Sequence, residues 1–189
     1  MSVVLVLALV AVGIVLVFDY TNGFHDAANV VATVIASNAM TPRQAVVVVS
    51  LFEMLGPLLG GTAVANTIGG IVHLSDLDAD RSLVIVLCAL FGAIAWNLAT
   101  WWRGLPSSSS HALVGALAGA VIAATDVGHV VWGFDALAHG ELKGVAKVML
   151  ALVISPVIGF WVTFGWHRFL RRQLFRATPS VNGWHRSQT

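Results

Sequence analysis

The chain has 189 residues, of which 58% are hydrophobic and 10% charged, with a formal net charge of +1 and a mean hydropathy of +0.86. A soluble domain carries about 25% charged residues, so a water-soluble globule is excluded and lipid is the expected solvent. The distribution of charge says more than its sum: Arg168, Arg171, Arg172, Arg176 and Arg186 gather after the last apolar segment, with Asp135 and Glu141 the only acids beyond residue 126. That is a positive-inside bias, which places a basic C-terminal tail in the cytoplasm of a multi-pass cell-membrane protein. Nucleic-acid binding is the weaker reading of the same cluster, and no nucleic-acid partner is expected. The single cysteine, Cys88, lies inside an apolar run. It excludes a disulfide framework and a cysteine metal site, and is expected to be a small core residue.

Residues 3–18 are apolar without interruption and end at Asp19. They lack a basic leader and a small-residue cleavage site, so a retained membrane helix is predicted rather than a signal peptide. Sixteen residues fall short of the about 20 needed to span, unless the helix continues through 19–22. Residues 22–38 read as a second, more polar helical segment. Thr41-Pro42 marks a helix start, and the apolar run from there to about residue 72 has expected breaks at Gly56-Pro57 and Gly60-Gly61. The acids of the following loop, "HLSDLDAD", read as solvated surface.

Residues 83–102 predict an apolar helix with Trp96, Trp101 and Trp102 crowding its end, as aromatics do near an interface. Residues 112–124, rich in Gly and Ala, are too short to cross alone and predict a re-entrant half-helix. A loop follows over 126–144, then a final helix over about 145–174 with a kink candidate at Ser155-Pro156. The fold class is therefore all-α: a polytopic transmembrane bundle of about five or six membrane segments, including a re-entrant helical hairpin.

Two stretches carry chemistry. In "NGFHDAANVVATVIAS", Asn22, Asp26, Asn29, Thr33 and Ser37 recur at steps of three or four and share one helix face. Ala28, Ala32 and Ala36 form a small-residue stripe that permits close helix approach. Asn and Thr alone would suffice to glue helices; a carboxylate at Asp26 points instead to an ion or substrate path. His25 points about 100° away from Asp26 and reads as a packing histidine before a proton relay. Glu53 is a second acid in an apolar segment, with Ser50 one turn before it. Carbonyls freed by the Gly56-Pro57 break would join it as ligands for a hard cation. Asn66 and Asn97 are lone polar residues, expected to make structural hydrogen bonds.

The second stretch is "GLPSSSSH", residues 104–111. Nucleophilic catalysis is disfavoured: Ser110 and His111 are adjacent and do not face each other on a helix, and no Gly-x-Ser-x-Gly elbow is present. No enzyme is predicted. Anion binding fits better, with Pro106 in the first turn, capping hydroxyls, and unpaired N–H groups at the positive end of a helix dipole. Ser107, Ser108, Ser109 and Ser110 are the candidate oxyanion ligands, with His111 accessory. Reaching membrane depth requires the preceding helix to tilt or to break near Gly92 or Asn97. An ordinary serine-rich cap at the interface is the bland alternative.

Together the two motifs identify a likeness. "GFHDAANVVAT" resembles the "GANDVANAxGT"-type signature of the inorganic phosphate transporter (PiT) family, and "GLPSSSSHALVGALAGA" is similar to its serine-rich hairpin. The resemblance implies two inverted repeats and symport of inorganic phosphate with Na+ or H+, with no other cofactor. It assigns Asp26 and Asn29 to cation binding, with Thr33 and Glu53 beside them, and phosphate to the four serines. Were the coupling ion Na+, Asp26, Asn29 and Glu53 would be its ligands. Asn22 and His25 are accessory; His25 stands where the family more usually has Asn. Residues 1–176 match one such repeat, and 177–189 read as the start of a cytoplasmic linker or tail. No second copy is found: "VNGWHRSQT" at 181–189 lacks the Asp and the apolar continuation. A second repeat is therefore expected from a missing C-terminal half or another chain, a homodimer included. The rivals are a carrier of another tetrahedral oxyanion, such as sulfate, and a non-transporting half-length membrane subunit.

Overall fold

The structure is a computed structural model that describes residues 2–174. The described residues are helical apart from loops and one isolated antiparallel bridge, Val72 to Val130. In chain order the helices are α1 (Val3–Ala36), α2 (Pro42–Gly60), α3 (Ala63–Gly69), α4 (Ala79–Trp102), α5 (Ser109–Ala124), α6 (Phe134–Ala138) and α7 (Gly144–Leu174), with a 3-10 turn at Val127–His129 before α6. Of these, α1, α2, α4 and α7 are long and apolar enough to cross a membrane, and α5 is a shorter apolar helix. The chain is thus an all-α membrane protein, and the four long helices with α5 make five apolar segments among the described residues, against the about five or six expected. The basic positions Arg176 and Arg186, and the tail from 177 on, lie outside the described residues.

Two of the expected segments merge. The segments 3–18 and 22–38 are one helix, α1, of 34 residues. No proline interrupts 19–22, and the Thr21 hydroxyl returns to the Phe18 carbonyl at 2.9 Å. α1 ends in a Schellman motif: Asn38 takes φ 54°, its N–H reaches the Ile35 carbonyl and that of Ala39 reaches Val34. Thr41 and Gln44 then form a capping box with Pro42 in the first turn, starting α2 where the sequence placed it. The break expected at Gly56-Pro57 does not occur. α2 runs through Pro57 to Gly60 and stops at the second expected position.

α4 starts at Ala79 rather than residue 83, behind the N-cap position Asp78 with Asp80 in its first turn, where acids complement the helix dipole. It is unbroken through Gly92 and Asn97. Its end is a second Schellman motif: Gly104 takes φ +62°, its N–H bonds the Trp101 carbonyl, and the Leu105 N–H bonds Thr100. Only glycine enters that backbone region without steric cost. Pro106 therefore lies in the turn between two helices and not in the first turn of α5, whose N-cap is Ser108. The loop over 126–144 contains the 3-10 turn and α6, and α7 continues through Pro156.

The described residues divide into two compact units, one up to Val145 and the other from Ala146 on. In the first, α4 and α5 form an antiparallel pair: Trp96 near the end of α4 meets Ser107, and Arg81 near its start meets the Ala124 carbonyl. α1 lies along this pair, parallel to α4. Phe18 of α1 packs with Leu90, Ala93 and Ile94 of α4, flanked by Ile14, Val86, Leu113 and Ala116. In lipid such contacts stabilise by close packing and interhelical hydrogen bonds rather than by exclusion of water. Cys88 is exposed on α4, contrary to the expected core position. It neighbours the buried Ala89 in sequence and lies about 100° from it around the helix.

Candidate functional site

The site is built where the polar part of α1 meets the start of α5. Continuity of α1 keeps Asn22 and Asp26 one turn apart on one face, and the Gly104 turn swings the serine run back onto them. The Ser109 hydroxyl is within hydrogen-bond reach of Asn22 Oδ1 and 2.9 Å from Asp26 Oδ2. Ser109 is 2% exposed, so water does not supply the missing partners. A hydroxyl has one proton to give, yet two oxygens converge on it. Three oxygens therefore share one proton, which makes an electron-rich cluster of the kind a hard cation favours.

His25 closes the neighbouring face. It is buried; its Nδ1 lies 3.1 Å from Asp26 Oδ1 and its Nε2 lies 3.3 Å from the Thr100 hydroxyl of α4. The packing role expected of His25 is seen in that α4 contact. Its bond to the adjacent Asp26 was not expected from a 100° offset, and arises because the ring reaches back along the helix surface. Phe24, next to it, packs edge-on against Trp101 with ring centres 5.3 Å apart.

The four serines are not equivalent. Ser108 caps α5, accepting the His111 N–H. Ser107 accepts the Trp96 indole N–H at 3.0 Å. Ser110 and His111 are exposed. Accepting a bond leaves a hydroxyl proton free to donate, so Ser107, Ser108 and Ser110 keep theirs, whereas Ser109 directs its own to α1. The first turn of α5 adds the unpaired N–H groups of a helix start.

The remaining predicted residues are not drawn into this contact. Asn29 and Thr33 continue the seam along α1 but are exposed, and Ser37 bonds the Val34 carbonyl at the helix end. Glu53 and Ser50 are exposed on α2. Asn66 makes a local bond to Thr62 at 3.4 Å. Asn97 departs from expectation: it is fully buried, and neither atom of its amide has a partner. Sequence reasoning missed Thr100 as a contact of His25, since a lone threonine in an apolar helix gives no spacing signal.

The model of the phosphate transporter family matches residues 22–187. The chain is 45% identical over 182 residues to a "Probable low-affinity inorganic phosphate transporter" of Streptomyces halstedii, covering 95% of this chain and 77% of that protein. It is 42% identical over 164 residues to a Bacillus subtilis protein of the same name, covering 87% of this chain and 46% of the relative. With the "Low-affinity inorganic phosphate transporter PitB" of Escherichia coli it shares 39% identity over 186 residues, 95% of this chain and 36% of the relative. It thus spans less than half the length of two of these three relatives. No solved structure matches the chain. The two motifs that meet at Ser109 both lie inside the matched region, and the chain belongs to the phosphate transporter family, a family of transporters rather than enzymes.

Proposed function

We propose that the chain takes part in moving inorganic phosphate across the cell membrane by symport with a cation, Na+ or H+. The observation that carries this is the Ser109 contact, which sets an anion-favouring helix start against the carboxylate of a polar membrane seam. The relatives' names support phosphate as the substrate. In this scheme Asp26 and Asn22 hold the cation, while Asn29, Thr33 and Glu53 stay on exposed faces outside that contact. Ser107, Ser108 and Ser110, with the N–H groups of the first turn of α5, take the phosphate, and His111 stands beside them.

The electrostatics dictate an order. An anion about 4 Å from the Asp26 carboxylate would be repelled by about 4 kcal/mol at an effective dielectric of 20, so phosphate binds well only after the cation. A cation on the Asn22 and Asp26 oxygens also releases the Ser109 proton, which then turns to the phosphate. The two ligands therefore bind with positive coupling. A second repeat, from the same protein or another copy, would face this one and rock to alternate access. The basic end of α7 and the tail beyond it lie on the cytoplasmic side in this scheme.

Asp26→Asn tests it. In membrane vesicles carrying the full chain, cation-dependent phosphate uptake should fall to background while membrane insertion is unchanged. Unchanged uptake ends the proposal. In the same vesicles arsenate should compete and sulfate should not.

A further inference from the structure

Asn97 of α4 belongs to neither motif, yet it is fully buried with both ends of its amide unpartnered. The other buried polar side chains, Thr21, His25, Thr100 and Ser109, all have partners. A buried amide left unpaired costs more than hydrocarbon of the same volume, so a structural role alone does not account for it.

Register places it. On α1, Phe18 packs with Ala93 and Ile94 of α4, and seven residues on His25 bonds Thr100. The two helices run parallel and in step, so Asn97 stands level with Thr21 and Asn22. From the other side, Trp96 meets Ser107 at the tip of the α4–α5 pair, which brings the same level of α4 beside the start of α5. Asn97 is thus enclosed at the height where Asn22, Asp26 and Ser109 converge.

We propose that Asn97 is a further ligand residue of that site, its amide oxygen binding a monovalent metal cation of the Na+ class. The inference rests on the cation-binding reading above and deepens it. The donor set becomes one carboxylate, two amide carbonyls and one hydroxyl, all hard oxygens with a single formal negative charge. A proton needs no such shell, so the set selects a metal cation over H+ as the coupling ion.

The test uses the full chain purified in detergent, with thermal unfolding measured across a NaCl series against choline chloride at constant ionic strength. The wild type should unfold at higher temperature as Na+ rises. Asn97→Leu should be as stable as the wild type without Na+, and its Na+ midpoint should rise at least 10-fold. Asn97→Asp, which keeps an oxygen of the same reach and adds charge, should respond to Na+ at a lower midpoint than Asn97→Leu. A wild-type Na+ midpoint in Asn97→Leu overturns the inference, as does equal behaviour of the two variants should Asn97→Leu fold poorly. Asp26→Asn separates the two levels: loss of the Na+ response there with an unchanged response in Asn97→Leu removes Asn97 alone. A Na+ response that survives Asp26→Asn removes the cation site itself, and with it the inference. A wild type insensitive to Na+ removes Asn97 as a metal ligand and leaves H+ coupling to the uptake assay.

Discussion

Ser109 and Ser110 are chemically identical neighbours with different surroundings. Ser109 is buried against Asn22 and Asp26, while Ser110 is exposed. A hydrogen bond to a charged group is worth about 1.5–3 kcal/mol, an order of magnitude or more in a binding constant. Ser109→Ala should therefore weaken the dependence of phosphate uptake on the cation by roughly 10-fold or more, read as the shift in the cation midpoint. Ser110→Ala should leave that midpoint in place and raise the phosphate KM alone. Equal effects of the two substitutions would show that the Asp26 contact does not link the ligands. His25 acts one step back: by bonding Asp26 from one ring nitrogen and Thr100 from the other, it holds the carboxylate against α4.

At the scale of elements, the site depends on how helices end. The Gly104 turn stops α4 and Ser108 starts α5 only a few residues later, so Ser109 faces back toward α1 instead of continuing outward. At the far end of α5, outside the membrane-spanning helices, Asp126 closes another turn. Its carboxylate accepts the Gly128 N–H at 2.6 Å and lies 3.1 Å from His129 Nδ1. The Gly128 bond first, and His129 after it, hold this carboxyl below the ordinary value of 3.8. A group with a depressed folded pKa stabilises its turn above the ordinary value and ceases to do so as pH falls through the folded one. Hydrogen exchange at the Gly128 amide, corrected for intrinsic rate, should thus accelerate once the pH drops below 3.8. In Asp126→Asn that acid step should be absent; its persistence would assign the turn's stability to other contacts.

At the scale of the molecule, α4 is the central helix of the unit that ends at Val145. Of its most apolar window 39% is buried, against 11% for α1 and 6% for α2. The other helices offer most of their surface to lipid or to further protein. α1, at 34 residues, is about 51 Å long and exceeds a hydrocarbon core of about 30 Å. It must tilt or project, and either lets its polar seam meet water from one side. Cys88 on the exposed surface of α4 and the exposed Ser110 at the tip of α5 provide a direct check. In sealed vesicles a charged, membrane-impermeant maleimide should leave Cys88 unlabelled and should label Ser110→Cys, with phosphate slowing that labelling. Labelling of Cys88 in the intact bilayer would contradict a lipid-facing α4 surface.

The sequence by itself determined the solvent, the helical class and the two motifs, because composition and three-to-four-residue spacing are local properties that lipid makes decisive. It located the start of α2 closely, since the Thr41–Gln44 capping box acts within one turn. It left open whether a helix continues through 19–22, and it misjudged the Gly56-Pro57 pair as an interruption. Whether a polar or breaking residue ends a helix depends on whether its neighbours satisfy the backbone, which no local pattern records. The same limit hid the division of labour among the serines, the bond from Thr100 to His25, and the orphaned amide of Asn97. Only the tertiary structure decided those, because they depend on α1 and α4 running parallel and in step, with α5 folded back between Asn22 and Asp26 at one end and the Phe18 cluster farther along.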